Sequence, residues 1–150
     1  MLFRRATATD AGEIAAMEAE YFSDSWSERD ILATLSTELA MCFAAVDDSG
    51  LVGYILGRKI IPEGEIYRVA VKAEKRRRGI GARLLAYAIK SEAPEGVETF
   101  FLEVREANAA ARGLYSSEGF TEISIRKNYY KNPTDNAVIM LLNINNTLQN

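Results

Sequence analysis

Apolar positions along the chain change period several times, and each change marks an element. Leu2 to Ala6 reads as a first strand, after which Ile14, Met17 and Tyr21 recur at helical spacing. Asp10 and Glu13 supply the acidic capping-box pattern at that helix start, which predicts a helix over 10–21. Ser27 with Asp30 marks a second start, followed by Ile31, Leu32 and Leu35, so the two helices form a hairpin. The β-rich runs 41–46 and 51–61 flank Asp47-Asp48-Ser49-Gly50, a turn composition that closes an antiparallel pair. A second turn at Pro62-Glu63-Gly64 leads into a strand over 65–71.

Further along, Ile80, Leu84, Leu85, Ala88 and Ile89 define an amphipathic helix that Pro94-Glu95-Gly96 ends. A strand over 99–104 follows, then a helix over 108–117 that stops at Gly119, suited to a left-handed cap. Residues 121–125 resume strand, 128–136 read as a polar, aromatic loop, 137–144 as the last strand and 145–150 as a frayed polar tail. Strand, two helices, antiparallel strands, then alternating helices and strands predict an α+β sheet layered with helices, not a doubly wound parallel fold.

Composition narrows the chemistry. With 150 residues, 48% of them hydrophobic, the chain suffices for a single domain over 1–150 with its own core. It has no long charge-free apolar run and no apolar block near Met1, so a cytoplasmic protein without a membrane partner is expected. Cys42, the single cysteine, lies in an apolar run and reads as a buried thiol. The sequence has no histidine, which with one cysteine excludes the usual zinc ligand sets and a serine-histidine-aspartate triad, so no metal is expected. Acid-base chemistry falls to carboxylate, tyrosine, lysine or water. A net charge of -3 argues against nucleic acid as a direct partner, although Lys72, Lys75, Arg76, Arg77 and Arg78 concentrate positive charge locally.

That basic cluster sits in the most informative stretch, where the strand residues Val69-Ala70-Val71 feed Arg76-Arg77-Arg78-Gly79-Ile80-Gly81-Ala82 and the amphipathic helix. Glycines allow close backbone approach, and helix-start amides point outward unpaired, so the turn is built to hold an anion such as a pyrophosphate. Neither the Gly-Lys-Ser/Thr of a Walker loop nor the third glycine of a dinucleotide fingerprint is present. Main-chain contacts from Arg77 through Ala82 are expected to matter more than the arginine side chains.

Arg76-x-x-Gly79-x-Gly81 resembles the acetyl-CoA pyrophosphate loop of the GNAT family of N-acetyltransferases. Leu102-Glu103-Val104-Arg105, Asn108, Leu114-Tyr115 and Gly119-Phe120 follow in that family's order. Within it, Trp26-Ser27 and Arg126-x-Asn128-Tyr129-Tyr130 resemble the RimI-type protein N-terminal alanine acetyltransferases. The resemblance implies a mixed, mostly antiparallel sheet with helices on both faces and a splayed parallel pair at 65–71 and 99–104, where the pantetheine arm of acetyl-CoA lies. It implies Glu103 as general base, Tyr115 as general acid, and contacts to the cofactor from Asn108 and the backbone of Val69, Ala70 and Val71. It places Trp26, Tyr129 and Tyr130 beside the acceptor groove. Arg68, where that branch often has a small polar residue, is expected to line the groove and favour an acidic peptide.

A free glutamate, with pKa about 4.3, needs a raised pKa or a relaying water to take an amine's proton. An α-amine at about 7.7–8.0 is easier to supply neutral than a lysine at about 10.4, by about 3.4 kcal/mol. The expected reaction is direct attack, in a ternary complex, by the N-terminal α-amine of a protein such as a small ribosomal protein. The alternatives are a small amine or lysine acceptor, or a CoA-binding module without catalysis.

Overall fold

The computed structural model describes residues 1–144, and the tail expected at 145–150 lies outside the described residues. Seven strands form one sheet: β1 (Leu2–Arg5), β2 (Phe43–Asp47), β3 (Gly50–Ile60), β4 (Glu63–Val71), β5 (Thr99–Arg105), β6 (Thr121–Tyr130) and β7 (Asp135–Asn143), in the order β1-β2-β3-β4-β5-β7-β6. Among the described residues β4 and β5 are the one parallel pair. Among the described residues four α-helices cover the sheet: α1 (Ala11–Tyr21), α2 (Glu28–Leu35), α3 (Ile80–Glu92) and α4 (Ala109–Ser117).

The alternating pleat builds a core on each face. Ile14 and Met17 of α1 and Ile31 of α2 pack on Cys42, Ala44, Tyr54, Leu56 and Ala70. On the other face Leu84, Leu85 and Ala88 of α3 and Tyr115 of α4 pack on Phe43, Ile55, Phe100, Leu102 and Met140. Leu84 is fully buried, so Leu84→Ala is expected to cost about 2–5 kcal/mol and to lower the melting temperature, read by thermal denaturation.

The expected elements are present, with two corrections. Asp10 does not cap α1 with its side chain; it accepts a hydrogen bond from the Thr7 backbone amide at 2.8 Å and a bidentate pair from Arg4 at 2.7 and 2.8 Å. Glu13 reaches across to the Leu51 amide at 3.1 Å. Asp10 thus closes a capping box that opens one turn earlier, at Thr7, and Glu13 is taken by a tertiary partner. The Arg4 hydrogen bonds, with the Thr7 amide, hold the Asp10 carboxyl below its ordinary 3.8 despite its burial. A depressed native pKa stabilises above the unfolded value and loses that contribution as pH falls through the native one. Asp10→Asn is accordingly expected to be less stable than wild type at pH 7, with the gap closing below about pH 4, in denaturant titrations across pH.

The second correction concerns 128–136, read as a loop. β6 continues to Tyr130 and β7 begins at Asp135, leaving a short turn. Asn128 takes φ 53° within an irregular stretch of register, and its amide is held by Asn136 Oδ1 at 2.9 Å. A strand interrupted by a left-handed asparagine has loop-like composition.

Candidate active site

β4 and β5 pair from Glu63 and Thr99 as far as Ile66 and Leu102, and then part. Parallel strands that separate leave main-chain groups without ladder partners and open a space between them. Two adjoining cavities occupy it, sharing Tyr21, Phe22, Val69, Asn108 and Ala111 as walls.

The larger, about 660 Å³, runs along Val69, Ala70 and Val71 to Arg76, Arg77 and the start of α3 at Gly79, Ile80, Gly81 and Ala82. Gly79, at φ 76°, is the left-handed N-cap that lets the chain enter α3. No side chain caps that helix and its first turn carries no acidic residue, so its outward amides keep their partial positive charge. A Cβ on Gly81 would stand 3.3 Å from Leu114 Cδ2, so any larger residue there would make Leu114 shift where α3 and α4 approach. Arg77 at φ 63° is strained backbone next to this turn. Arg76 spends its side chain internally, donating to the Val71 carbonyl at 2.9 Å and lying 4.7 Å over the Tyr21 ring. Arg78 does not line either cavity.

The smaller cavity, about 350 Å³, is where the titratable side chains meet. Tyr67, Arg68 and Val69 come from β4, Glu103 and Arg105 from β5, Tyr115 from α4 and Tyr130 from the end of β6. Glu103 faces the cavity with its side chain about one quarter exposed and has Arg126 Nη1 3.4 Å from its carboxylate. Its charge is felt around it: Tyr129 is raised chiefly by hydrogen bonding to Glu103, and Glu65 by burial and then by Glu103. Tyr130, half-buried, is pushed up to about 12, first by burial and then by Glu103.

Tyr115 is 7% exposed and packs against Phe120 with ring centroids 6.0 Å apart. Burial raises its hydroxyl well above the ordinary 10, with Tyr130 adding to the shift. It is therefore a weaker acid than a free tyrosine. Asn108 caps α4, its Oδ1 accepting from the Ala111 amide at 3.1 Å, while also lining both cavities.

The remaining predicted residues stand at the margin. Trp26 stacks on Tyr67 at 5.5 Å and its amide bonds Glu18, so it touches a wall residue without lining the cavity. Tyr129 packs edge-on against Tyr130 at 5.1 Å and is 46% exposed. Arg68 lines the cavity, yet its guanidinium is occupied by Glu18, Asp24 and the Phe22 ring. The expectation that it invites an acidic peptide thus meets a side chain whose charge is already compensated. Sequence reasoning missed Tyr67 on β4, Tyr21 at the end of α1, and Phe22, Asp24, Asn132 and Pro133, the last four from two connections far apart in sequence. No local pattern links those connections.

A glycine-hinged helix start below a split parallel pair, with a carboxylate and a buried tyrosine at the split, defines an acyl-transferase architecture. The chain belongs to the GNAT acetyltransferase family, whose model matches residues 11–120. It is 34% identical over 140 residues to the [ribosomal protein bS18]-alanine N-acetyltransferase of Escherichia coli K12, covering 91% of this chain and 93% of that one. The crystal structure of the ribosomal-protein-S18-alanine N-acetyltransferase from Escherichia coli superposes with TM-score 0.88 at 30% identity, covering 95% and 93% of the two chains. The fold also matches a NatC complex bound to Gag peptide and CoA, with TM-score 0.84 at 22% identity, covering 95% and 97%.

Proposed function

We propose that residues 1–150 act as one acetyl-CoA-dependent unit that acetylates the N-terminal α-amine of a protein beginning with alanine, a small ribosomal protein being the favoured acceptor. The observation that carries the reading is the pairing of Glu103 and Tyr115 in one cavity that adjoins the glycine-turn groove. The 34% identity to an enzyme named for alanine N-acetylation of bS18 supports the acceptor.

In this reading the amides of Arg77 through Ala82 hold the pyrophosphate, and Val69 to Val71 with Asn108 hold the pantetheine. The acceptor amine enters the smaller cavity and attacks the thioester carbonyl, forming the N–C bond as the C–S bond breaks. Glu103, directly or through water, receives the proton the amine sheds, and Tyr115 donates one to the departing thiolate. Tyr115's raised pKa keeps its hydroxyl protonated, and so able to donate, at neutral and moderately alkaline pH.

The test is a panel of acceptors incubated with acetyl-CoA: an alanine-starting peptide, the same peptide N-blocked with an internal lysine, and a polyamine. Release of free CoA is followed with product mass. Acetyl on the α-amine of the alanine peptide supports the reading; turnover confined to the lysine or the polyamine overturns the acceptor while keeping the transferase.

A further inference from the structure

Two arginines leave the splayed strands in opposite directions just past the point where β4 and β5 stop pairing at Ile66 and Leu102. Arg68 on β4 reaches the connection between α1 and α2. Its Nη2 donates to the Asp24 carbonyl at 2.9 Å and to Asp24 Oδ1 at 2.8 Å, and its guanidinium lies 4.0 Å over the Phe22 ring. Behind it, Nε meets the fully buried Glu18 at 3.3 Å, and Glu18 also takes the Tyr54 hydroxyl at 2.5 Å and the Trp26 amide at 3.1 Å. Arg105 on β5 reaches the β6–β7 turn in the same way. Its two Nη atoms donate to the Pro133 carbonyl at 2.7 Å and the Lys131 carbonyl at 2.9 Å, and the guanidinium lies 4.5 Å from the Tyr130 ring.

Phe22 and Asp24 of the first connection, Pro133 of the second, and Tyr130 at the end of β6 all wall the smaller cavity. Each arginine thus uses a planar fork for main-chain or carboxylate oxygens and its face for an aromatic ring. A lysine, a point charge on a flexible stem, cannot do both.

We propose that Arg68 and Arg105 are positioning residues, paired clamps that hold the two walls of the acceptor cavity at a fixed separation and so set acceptor affinity, without reading acceptor charge. This rests on the acceptor site assigned under the proposed function. Glu18 and Asp24 compensate Arg68, and Arg105 is turned onto two carbonyls, so neither fork is free for an incoming anion. The glycine-turn groove contains neither arginine in its walls and none of the Arg105 partners, and it meets the Arg68 clamp only at Phe22, so acetyl-CoA binding is expected to change little when either clamp is released.

The experiment compares Arg105→Lys, Arg105→Ala, Arg68→Lys and Asp24→Ala, the last removing the outer end of the Arg68 clamp without touching buried Glu18. KM for the alanine peptide, KM for acetyl-CoA, and hydrogen exchange of 22–27 and 128–136 are measured. The expected result is a tenfold or greater rise in peptide KM, an acetyl-CoA KM within about twofold of wild type, and faster exchange confined to the wall each variant releases, with lysine no better than alanine at 105. Restoration by Arg105→Lys, or unchanged exchange in both walls, overturns the clamp. Equal rises in both KM values also overturn it, since they mark general loosening. Exchange needs no acceptor, so a wild-type protein inert toward the peptide would sink the functional reading and leave the clamp to be decided by exchange alone.

Discussion

Glu103→Gln is expected to lower kcat about 10²- to 10⁴-fold with acetyl-CoA binding unchanged, the range that removal of a positioned general base gives. The substitution is close to isosteric, and β5 residues on either side are fixed by pairing with β7, Glu103 opposite Ile139. Loss of fold is therefore not the expected cause of any effect. Glutamine keeps a hydrogen-bond acceptor toward Tyr129 and Arg126 but has no carboxylate to take a proton. Pre-steady-state release of CoA on mixing enzyme, acetyl-CoA and peptide measures the step directly. A kcat within threefold of wild type would remove Glu103 from the chemistry and leave proton removal to bulk water.

Tyr115→Phe is the second large effect, expected at about 10²-fold or more in kcat. Phenylalanine preserves the packing against Phe120, so stability should change little. Tyr130→Phe is the control, because Tyr130 also lines the cavity and titrates high. A larger loss at Tyr130 than at Tyr115 would exchange their roles. The pH dependence follows from the sign of the shift: an acid whose native pKa lies above the ordinary 10 stays protonated through alkaline conditions. As pH rises past the acceptor amine's value of about 7.7–8.0, more neutral nucleophile is supplied while the acid remains loaded. The kcat/KM profile is thus expected to rise and hold flat to about pH 10, with no bell. A decline centred below pH 9 would contradict the assignment of a buried tyrosine as the acid.

The elements and the glycine-turn groove were legible because their signals are local. Helix α3 announces itself through Ile80, Leu84, Leu85 and Ala88, and the turn before it through Gly79, whose left-handed backbone only glycine adopts at little cost. The Asp47–Gly50 hairpin was equally readable, with Asp47 accepting from the Ser49 amide at 2.8 Å. The smaller cavity was legible only in part, through Arg68, Glu103 and Tyr115. Its remaining walls come from the α1–α2 and β6–β7 connections, brought together by the sheet order, and Arg105, which meets the second of them, looks in sequence like an ordinary strand charge. Arg68 is instructive: a lone cation beside a cleft suggests an anionic ligand until Glu18 and Asp24 come into view from helix α1 and the chain beyond it. Asp10 and Glu13 teach the same lesson: Asp10 closes a box opened at Thr7 while pairing with Arg4, and Glu13 is diverted to the Leu51 amide.

The most direct test of the central claim is fragmentation mass spectrometry of an alanine-starting ribosomal-protein peptide after incubation with the wild-type protein and acetyl-CoA, beside a Glu103→Gln control. The account predicts a single acetyl on the α-amine, stoichiometric release of CoA, and neither with the variant. An unmodified peptide, from protein that binds no acetyl-CoA, would contradict it.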